Sequence, residues 1–293
     1  MSVTKGVITA AGRGTRFLPT TKAYPKELIP IMDKPNIQYL IEEMVGAGLT
    51  EIAIVHRPNE TKIKEYFSPD HELKKYLQKN DKLNYLNSLE KIWQKADLKF
   101  IPQGEKLPYG NASPAIAAKE FVNNQPFVYM FGDDFVLEEK PGNYLKLLIE
   151  IFEKHQPAVV LGCQQVPWKE IHRYGSIEYA ENQKVPNQAT AILEKLPKDE
   201  APSNIAQFGR FVLSPKVFPV LKEQELAKGE LWLADANNTL AKNDIAIAEP
   251  IQEGKWLTTG DPLRWLKTNI EVGLNSPDFQ TGLKSYLAEI DLS

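Results

Sequence analysis

Residues 6–27 of the chain read GVITAAGRGTRFLPTTKAYPKE. The apolar run at the start of this stretch predicts a β-strand, and Gly12 and Gly14 follow it directly. Glycines at the end of a strand let backbone N–H groups approach phosphate oxygens, because no Cβ stands in the way. Arg16 adds a forked cation and Lys26 a mobile point charge. The stretch therefore predicts a phosphate-binding loop after the first strand.

This loop differs from two better-known phosphate-binding motifs. Phe17 stands where the dinucleotide-binding fingerprint needs its third glycine, which argues against a Rossmann oxidoreductase. A P-loop needs Gly-Lys-Ser or Gly-Lys-Thr, and neither follows the strand here. A bare GxG fits an ordinary tight turn as well. The combination of GxGTR with a later Pro-Lys favours phosphate binding.

Outward from the loop, apolar β-rich runs alternate with amphipathic helical stretches. In the first half we expect strands at 51–55, 127–131 and 158–163, and helices at 37–46 and 143–155. Continuous apolar strands separated by helices predict an α/β protein whose parallel sheet is covered on both faces. A lysine-rich segment at 71–96 is expected to form a solvated helical pair outside the sheet.

The second half of the chain is less regular. Strands at 174–179 and 208–213 are expected to flank a polar, proline-containing segment at 184–204. Helices are expected at 215–222, 234–241, 262–272 and 279–289. One mixed α/β domain with an elaborated C-terminal half is the simplest account of this pattern.

Length and composition describe an ordinary globular chain. The 293 residues carry 35 Lys and Arg against 38 Asp and Glu, a formal charge of −3, which argues against a general nucleic-acid binder. No apolar run approaches the ~20 residues that span a bilayer, and the N-terminus lacks a signal-peptide layout. The single cysteine, Cys163, excludes an intramolecular disulfide framework and fits a reducing compartment. We therefore expect a soluble, cytoplasmic protein with no membrane partner.

Residues 12–39 resemble the signature of the bacterial UTP–glucose-1-phosphate uridylyltransferases, a family of sugar-phosphate nucleotidylyltransferases. The resemblance continues through almost the whole chain in a series of ordered motifs. These are Gln103-Gly104 with Gly110, Gly132-Asp133-Asp134, Arg173-Tyr174-Gly175, Glu194-Lys195, residues 201–204, residues 229–236 and residues 260–263. Taken alone, Asp133-Asp134 equally fits a turn or helix cap, and Glu194-Lys195 a solvated pair; the ordered series favours a functional reading.

The resemblance implies a Rossmann-like three-layer α/β/α nucleotidyltransferase fold with a mostly parallel mixed central sheet. It implies one catalytic domain at 1–275, with a nucleotide-binding half at about 1–135 and a sugar-phosphate-binding half at 136–275. Residues 276–293 are expected to form a C-terminal helix that packs on its own core or on another subunit. The resemblance favours a homo-oligomer.

The resemblance also implies a role for each nucleotide-side residue. The backbone of Ala11, Gly12 and Gly14 lines the nucleotide. Arg16 holds the phosphates that leave as pyrophosphate, and Lys26 binds the reacting phosphates. The remaining implied contacts are to the base: Glu27 and Gln103 read it, and Gly110 allows close backbone approach.

The metal and sugar side is implied in the same way. Asp133 holds Mg²⁺, and Asp134 lies near the nucleotide. Gly175, Glu194 and Lys195 bind the sugar 1-phosphate, Glu194 through sugar hydroxyls and Lys195 through phosphate. Arg16, Lys26, Asp133 and Lys195 form the implied catalytic set, and the implied substrates are UTP and glucose 1-phosphate.

Two positions depart from the family pattern. Thr258 stands where the family usually has an aspartate, a second candidate metal ligand, and a hydroxyl is a poor substitute for a carboxylate on Mg²⁺. Residues 109–113, YGNAS, replace the more usual Leu-Gly-His-Ala of the base loop. Two alternatives stay open for these reasons: the same chemistry with dTTP or another hexose 1-phosphate, and a catalytically silent paralogue that binds nucleotide sugar and regulates a partner.

Overall fold

The structure, a computed structural model, describes residues 2–82, 84–85, 95–227 and 229–291. Its strands in chain order are β1 (Lys5–Ala10), β2 (Pro30–Ile31), β3 (Lys34–Pro35), β4 (Glu51–His56), β5 (Asp97–Pro102), β6 (Phe127–Phe131), β7 (Asp134–Leu137), β8 (Val159–Gln165), β9 (Gly175–Tyr179), β10 (Gln188–Glu194), β11 (Ile205–Leu213), β12 (Ala246–Pro250) and β13 (Lys255–Thr258).

The helices are named in the same way. They are α1 (Asn36–Gly46), α2 (Lys62–Tyr66), α3 (His71–Lys79), α4 (Ser113–Ala117), α5 (Lys119–Val122), α6 (Asn143–His155), α7 (Val217–Glu223), α8 (Leu233–Asn243), α9 (Pro262–Asn275) and α10 (Gln280–Glu289). Short 3₁₀ helices lie at Thr15–Phe17, Thr20–Lys22, Lys26–Leu28 and Trp168–Arg173. Within the described ranges, no helix combines the length and the hydrophobicity of a membrane span.

The central sheet has nine described strands in the order β5-β4-β1-β6-β11-β8-β12-β10-β9. The first four pair in parallel, and β12 is parallel to β8. Strand β11 runs antiparallel to β6 and β8, and β10 runs antiparallel to β12 and β9. Seven of the nine strands therefore point the same way. The sheet is mixed and mostly parallel, as the resemblance implied.

Buried side chains cover the sheet on both faces. In β1, Ile8 packs in a cluster with residues of α1 and α6, while Val7 packs in a second cluster with residues of α4, α7 and α8. Successive side chains of a strand point to opposite faces, so a strand that is buried on both faces reads as a continuous apolar run. This is why β1, β4, β6 and β8 are visible in the sequence, and the expected α/β architecture is confirmed.

Several bounds were predicted closely, and others were missed. Strand β6 and helix α6 have the expected ends, and the four C-terminal helices lie within three residues of theirs. The description of 184–204 as a polar segment between strands was wrong, because it contains β10. The buried positions of β10 include Ala189, Ala191 and Ile192, and small alanines give a weak hydrophobic signal. Strands β5, β12 and β13 were not predicted.

The lysine-rich segment begins as expected with an exposed helix. Helix α3 starts at Asp70, whose carboxylate accepts hydrogen bonds from the backbone N–H groups of Glu72 and Leu73. Leu77 is its only buried residue. The second helix of the predicted pair falls on 83 and 86–94, which lie outside the described residues.

Candidate active site

The glycine-rich loop after β1 closes over Lys26. Gly14 has φ +62°, a left-handed conformation, and a Cβ there would lie 2.9 Å from Thr21 Cγ2. The Thr21 hydroxyl donates to the Gly14 carbonyl at 2.7 Å, which holds the turn. A Cβ on Gly12 would lie 3.4 Å from Cε of Lys26, so this part of the loop lies against the lysine side chain. The loop therefore brings its backbone and the ammonium group to one place.

Lys26 is paired with Asp133, which follows β6. Lys26 Nζ donates to Asp133 Oδ2 at 2.8 Å and lies 4.0 Å from Glu27 Oε1. Burial by itself would lower the pKa of Lys26, but the attraction of Asp133 and Glu27 outweighs it and raises that pKa. Burial would likewise raise the pKa of Asp133, but the Lys26 ammonium holds that pKa below its usual value. Both groups are therefore charged at neutral pH.

Strand β13 places Thr258 beside the backbone of Asp133, and the residues that follow the strand contact Arg16. Thr258 pairs opposite Asp134 in the antiparallel β7–β13 ladder, and its hydroxyl donates to the Asp133 carbonyl at 3.3 Å. The next residue, Thr259, donates its backbone N–H to the same carbonyl at 2.7 Å. Arg16 Nη1 donates to the Gly260 carbonyl at 3.2 Å. The position that departs from the family pattern thus lies beside Asp133.

Asp134 is held from two sides by β11. It is 6% exposed, and its Oδ2 accepts the backbone N–H of Gly209 at 3.2 Å. Arg210, which is fully buried, donates to the Asp134 carbonyl at 2.6 Å and makes two bonds to Glu43 at 2.6 and 2.7 Å. Burial raises the pKa of Asp134 to about 6, with repulsion from Asp133 as the second cause. The described contacts of Asp134 are therefore those of a fixed, buried group.

On the side of the site away from Lys26, strands β11, β8, β12, β10 and β9 form a closed ring of paired strands. Besides its neighbours in the sheet, β11 pairs with β9, where Ala206 lies opposite Ser176. The register between β11 and β8 shifts between Gln207 and Phe211. Such irregularities change the direction of side chains and are common next to active sites. The extra pairing places Gln207 next to the β9–β10 ladder.

Glu194 and Gly175 meet at that point. They are partners in the β9–β10 ladder, and Gln207 Nε2 donates to Glu194 Oε1 at 2.8 Å. A Cβ on Gly175 would lie 2.7 Å from that same carboxylate oxygen, so a larger residue there would displace the Glu194–Gln207 pair. Burial raises the pKa of Glu194, and the bond from Gln207 opposes the shift.

Lys195 follows Glu194 in a left-handed conformation. Its φ is +53°, and its backbone N–H donates to the Tyr174 carbonyl at 3.0 Å. Its ammonium lies 5.1 Å from the centre of the Trp232 ring. A non-glycine residue at positive φ carries strain and often marks a functional position.

These residues share a cavity of about 250 Å³. Its walls include six of the predicted site residues, which are Arg16, Asp133, Asp134, Gly175, Glu194 and Lys195. Arg173, Gln207, Trp232 and Arg264 also lie on its wall. We name this space the acceptor cavity. The phosphate loop and the predicted sugar side are thus brought together across more than 170 residues of sequence.

A second cavity, of about 650 Å³, lies on the other side of the loop after β1. Gln103, which follows β5, and Ala11, which follows β1, both line it. Arg13 and Arg57 add positive charge to its wall. We name this space the base-side cavity. It contains groups that can bind a polar, planar ligand and its phosphates.

Two predicted nucleotide-side residues, Glu27 and Gly110, are packed against other parts of the chain. Glu27 is 1% exposed and lies beneath Lys26, and burial raises its pKa to about 7. It lines neither cavity, and its expected role in reading a base stays a prediction. A Cβ on Gly110 would lie 2.1 Å from the Leu231 carbonyl oxygen, so this glycine is required by packing between two chain segments.

Sequence reasoning missed five residues at the site. These are Arg13 and Arg57 on the base side, and Gln207, Arg210 and Trp232 on the acceptor side. Arg210 had a usable signal, because an arginine inside the apolar run FGRFVL has to find buried acceptors. Trp232 lies in the motif at 229–236, but nothing near it in the sequence shows that its ring contacts Lys195, and Gln207 had no signal.

Asp133 fits a divalent cation of the Mg²⁺ type. The described residues contain no group of three or more His, Cys, Asp or Glu side chains that could hold a metal. Mg²⁺ does not need such a group, since it keeps several waters and binds through one or two carboxylates together with substrate phosphates. A carboxylate whose pKa is lowered and whose side chain is 28% exposed meets that requirement.

This fold and site define an α/β protein that binds phosphate groups beside a paired lysine and aspartate. The family model described as nucleotidyl transferase matches residues 5–272, and the chain belongs to that family. This confirms the class of enzyme expected from the motifs.

Full-length relatives show the same likeness. The chain is 38% identical to a UTP–glucose-1-phosphate uridylyltransferase of Bacillus subtilis, over 97% of this chain and 96% of the relative. Among solved structures, a UTP-bound UGPase from Acinetobacter baumannii matches with a TM-score of 0.88 at 28% identity, over 99% of this chain and all of the other. A UDP-glucose pyrophosphorylase complexed with UDP-glucose matches with a TM-score of 0.82 at 29% identity, over 94% of this chain and all of the other.

Proposed function

We propose that this enzyme transfers the uridylyl group of UTP to glucose 1-phosphate, giving UDP-glucose and pyrophosphate. A phosphate oxygen of glucose 1-phosphate forms a bond to the α-phosphorus, and the bond from that phosphorus to the leaving pyrophosphate oxygen breaks. The similarity of the whole chain to relatives with this activity supports the proposal. The observation that carries it is the single cavity in which Arg16 and Asp133 face Glu194 and Lys195.

The nucleotide-side residues bind and orient UTP. The backbone of Ala11, Gly12 and Gly14 approaches the phosphates, and Arg16 holds the pair of phosphates that leaves. Lys26 carries its positive charge next to the reacting phosphates, and Gln103 contacts the base in the base-side cavity. Gly110 sets the path of the loop beside that base, through its packing on Leu231.

The chemistry needs charge neutralisation more than proton transfer. A phosphate monoester is already an adequate nucleophile at neutral pH, so no general base is required. Two polyanions must approach each other, and fixed cations lower that cost. Asp133 is the residue that would hold Mg²⁺, and the ion would supply additional positive charge to the phosphates when bound. Asp134 supports this arrangement from its buried position next to the nucleotide.

The sugar-side residues hold glucose 1-phosphate. Glu194 accepts hydrogen bonds from sugar hydroxyls, and the hydrogen bond from Gln207 to its Oε1 holds the carboxylate in place. Gly175 leaves room for that pair. Lys195 binds the phosphate, and its ammonium lies 5.1 Å from the centre of the Trp232 ring, a contact that leaves its charge for a ligand.

The same proposal includes the organisation of the chain. Strands β5, β4, β1 and β6 come from residues 1–135 and the other five strands of the sheet from 136–275, which supports a nucleotide half and a sugar-phosphate half of one domain. Helix α10 exposes Tyr286, and the residues on either side of the helix, Phe279 and Ile290, are exposed as well, which supports a homo-oligomer contact. We place the enzyme in the cytoplasm, which is consistent with a single, buried cysteine.

Pyrophosphate release with glucose 1-phosphate and Mg²⁺ tests the proposal, run separately with UTP, dTTP, CTP, ATP and GTP. We expect release with UTP to exceed that with the other nucleotides, and omission of glucose 1-phosphate to abolish it. A preference for dTTP would assign the same chemistry to another nucleotide. No release with any nucleotide, from protein that still binds UDP-glucose, would identify a silent paralogue and overturn the proposal.

Replacing Lys195 by Ala is expected to raise the KM for glucose 1-phosphate by about 10- to 100-fold, the range for a lost charge-assisted contact of about 1.5–3 kcal/mol. The KM for UTP should change less than about twofold, because Lys195 lies on the acceptor side. Steady-state kinetics with each substrate varied in turn give both values. Lys184→Ala, an exposed lysine that lines neither cavity, is the control. Unchanged kinetics with glucose 1-phosphate would remove Lys195 from the site.

A further inference from the structure

Residues 109–113, which we name the base-side loop, are hydrogen-bonded directly to the start of helix α8. The backbone N–H of Leu231 donates to the Tyr109 carbonyl at 2.7 Å, and that of Ala112 donates to the Leu231 carbonyl at 3.2 Å. The Asn111 side chain adds a third bond, because its Oδ1 accepts the backbone N–H of Leu233 at 2.8 Å. Three hydrogen bonds therefore join two segments that are about 120 residues apart in the sequence.

Asn111 satisfies an N–H group that α8 cannot satisfy by itself. The first N–H groups of a helix have no partner inside the helix, and side chains commonly supply one. The N-cap residue here is Trp232, which makes no capping bond with its side chain. An asparagine from the base-side loop takes that role and fixes the position of the tryptophan next to it.

Trp232 in turn contacts Lys195. The Lys195 ammonium lies 5.1 Å from the centre of the indole ring, within the range of a cation–π interaction. Such a contact positions a cation but does not neutralise its charge, whereas a carboxylate partner would neutralise it. Lys26, on the nucleotide side, has that carboxylate partner. The indole ring therefore holds Lys195 in place and leaves its charge for a phosphate.

Another hydrogen bond joins α8 to β10, the strand that ends one residue before Lys195. Asn238, in the second turn of α8, accepts the backbone N–H of Ile192 at 3.1 Å through its Oδ1. Ile192 lies three residues before Lys195 in the chain, on β10. Helix α8 is thus bonded at its start to the base-side loop and along its length to the strand of the acceptor cavity.

We propose that α8 couples the base-side loop to the acceptor site, with Asn111 as a positioning residue and Trp232 as the ring that holds Lys195 for the sugar phosphate. This inference rests on the proposed function. It assigns an effect on the sugar phosphate to a residue of the base-side loop, and it explains why both side chains line the acceptor cavity. It also gives the departure from the family pattern at residue 111 a structural purpose.

The first experiment compares Trp232→Leu with Trp232→Phe. Loss of the aromatic ring is expected to raise the KM for glucose 1-phosphate by about 3- to 30-fold. Phenylalanine keeps a ring face for the ammonium, so its effect should stay within about threefold. The KM for UTP should change less than about twofold in both variants. Tyr76→Leu is the matched control. Tyr76 lies on the exposed helix α3, and the change removes its cation–π contact with Lys82.

The second experiment tests the coupling through Asn111. Asn111→Ala is expected to raise the KM for glucose 1-phosphate by about 3- to 10-fold, as for one lost hydrogen bond, with little change in the KM for UTP. In the double variant N111A/W232L the effect should not exceed that of W232L by more than about twofold, because both changes act on the same contact. Thermal unfolding of every variant identifies those that fail to fold, and W232F then carries the comparison.

Distinct outcomes overturn the inference. A wild-type KM for glucose 1-phosphate in W232L would remove the role of the ring. Fully multiplicative effects in N111A/W232L would mean that Asn111 acts on the ligand directly and not through α8. Calorimetric titration of each variant with glucose 1-phosphate repeats the comparison without turnover. If wild type binds that ligand but turns over no nucleotide, the proposed function fails while the binding comparison still decides the inference.

Discussion

Asp133→Asn is expected to lower kcat by at least about a hundred- to a thousand-fold, the usual cost of removing one preorganised electrostatic group from an active site. The amide keeps the size of the side chain but removes its negative charge. It can then neither hold a divalent cation well nor neutralise Lys26, which lies 2.8 Å away. The measurement is pyrophosphate release over a range of Mg²⁺ concentrations, with circular dichroism to show that the variant is folded.

A matched control separates this effect from a general loss of charge. Asp97→Asn removes a carboxylate from an exposed pair with Lys99 on β5, and exposed pairs contribute less than about 1 kcal/mol. Its kinetics should equal those of the wild type. An Asp133→Asn enzyme that retains most of its Mg²⁺-dependent turnover would mean that the metal is held by another residue.

Arg210→Met alone is expected to destabilise the protein by about 3–5 kcal/mol, because it leaves the buried Glu43 carboxylate without its partner. The double variant E43L/R210M should recover most of that loss, since a buried ion pair replaced by apolar side chains of similar size is often neutral. Urea unfolding of the wild type and both variants measures the two differences.

Activity should not recover with stability. In E43L/R210M the carbonyls of Asp134 and Gly209 still lack the guanidinium that bonds them in the wild type, at 2.6 and 2.8 Å. The backbone beside Asp133 is then less well fixed, so kcat should stay at least about tenfold below the wild-type value, as expected for a misplaced catalytic group. A stable double variant with wild-type kcat would assign the ion pair to stability alone. Lys255→Met, in the exposed pair with Glu271, is the control for both readouts.

Local features of the sequence were sufficient for much of the architecture. Strands β1, β4, β6 and β8 were predictable because a strand buried on both faces is apolar throughout. The phosphate loop was predictable because Gly12, Gly14 and the following cations lie within a few residues of β1. The order of the family motifs then indicated the fold and the chemistry.

Other features were not predicted, because their sequence patterns are weak or fit more than one structure. Strand β10 buries small alanines, and β5 lies at the edge of the sheet, where three of its residues are exposed and three are half-buried. Glu27 was expected to read the base because of its place in the motif. Whether a glutamate next to a lysine faces a ligand or lies beneath it depends on how the loop packs, and its neighbours in sequence do not show that.

The contacts that make the site were settled by the folded chain. Lys26 meets Asp133 across 107 positions, Leu233 meets Asn111 across 122, and Arg210 meets Glu43 across 167. Each of these contacts depends on which strands are neighbours and on the register between them, and those are properties of the whole sheet. The amino-acid sequence alone thus determined the elements, the loop chemistry and the family. Which charges are paired, which are buried and which face the cavities followed only from the packing of distant segments, because hydrogen bonds and ion pairs form between atoms that are close in space.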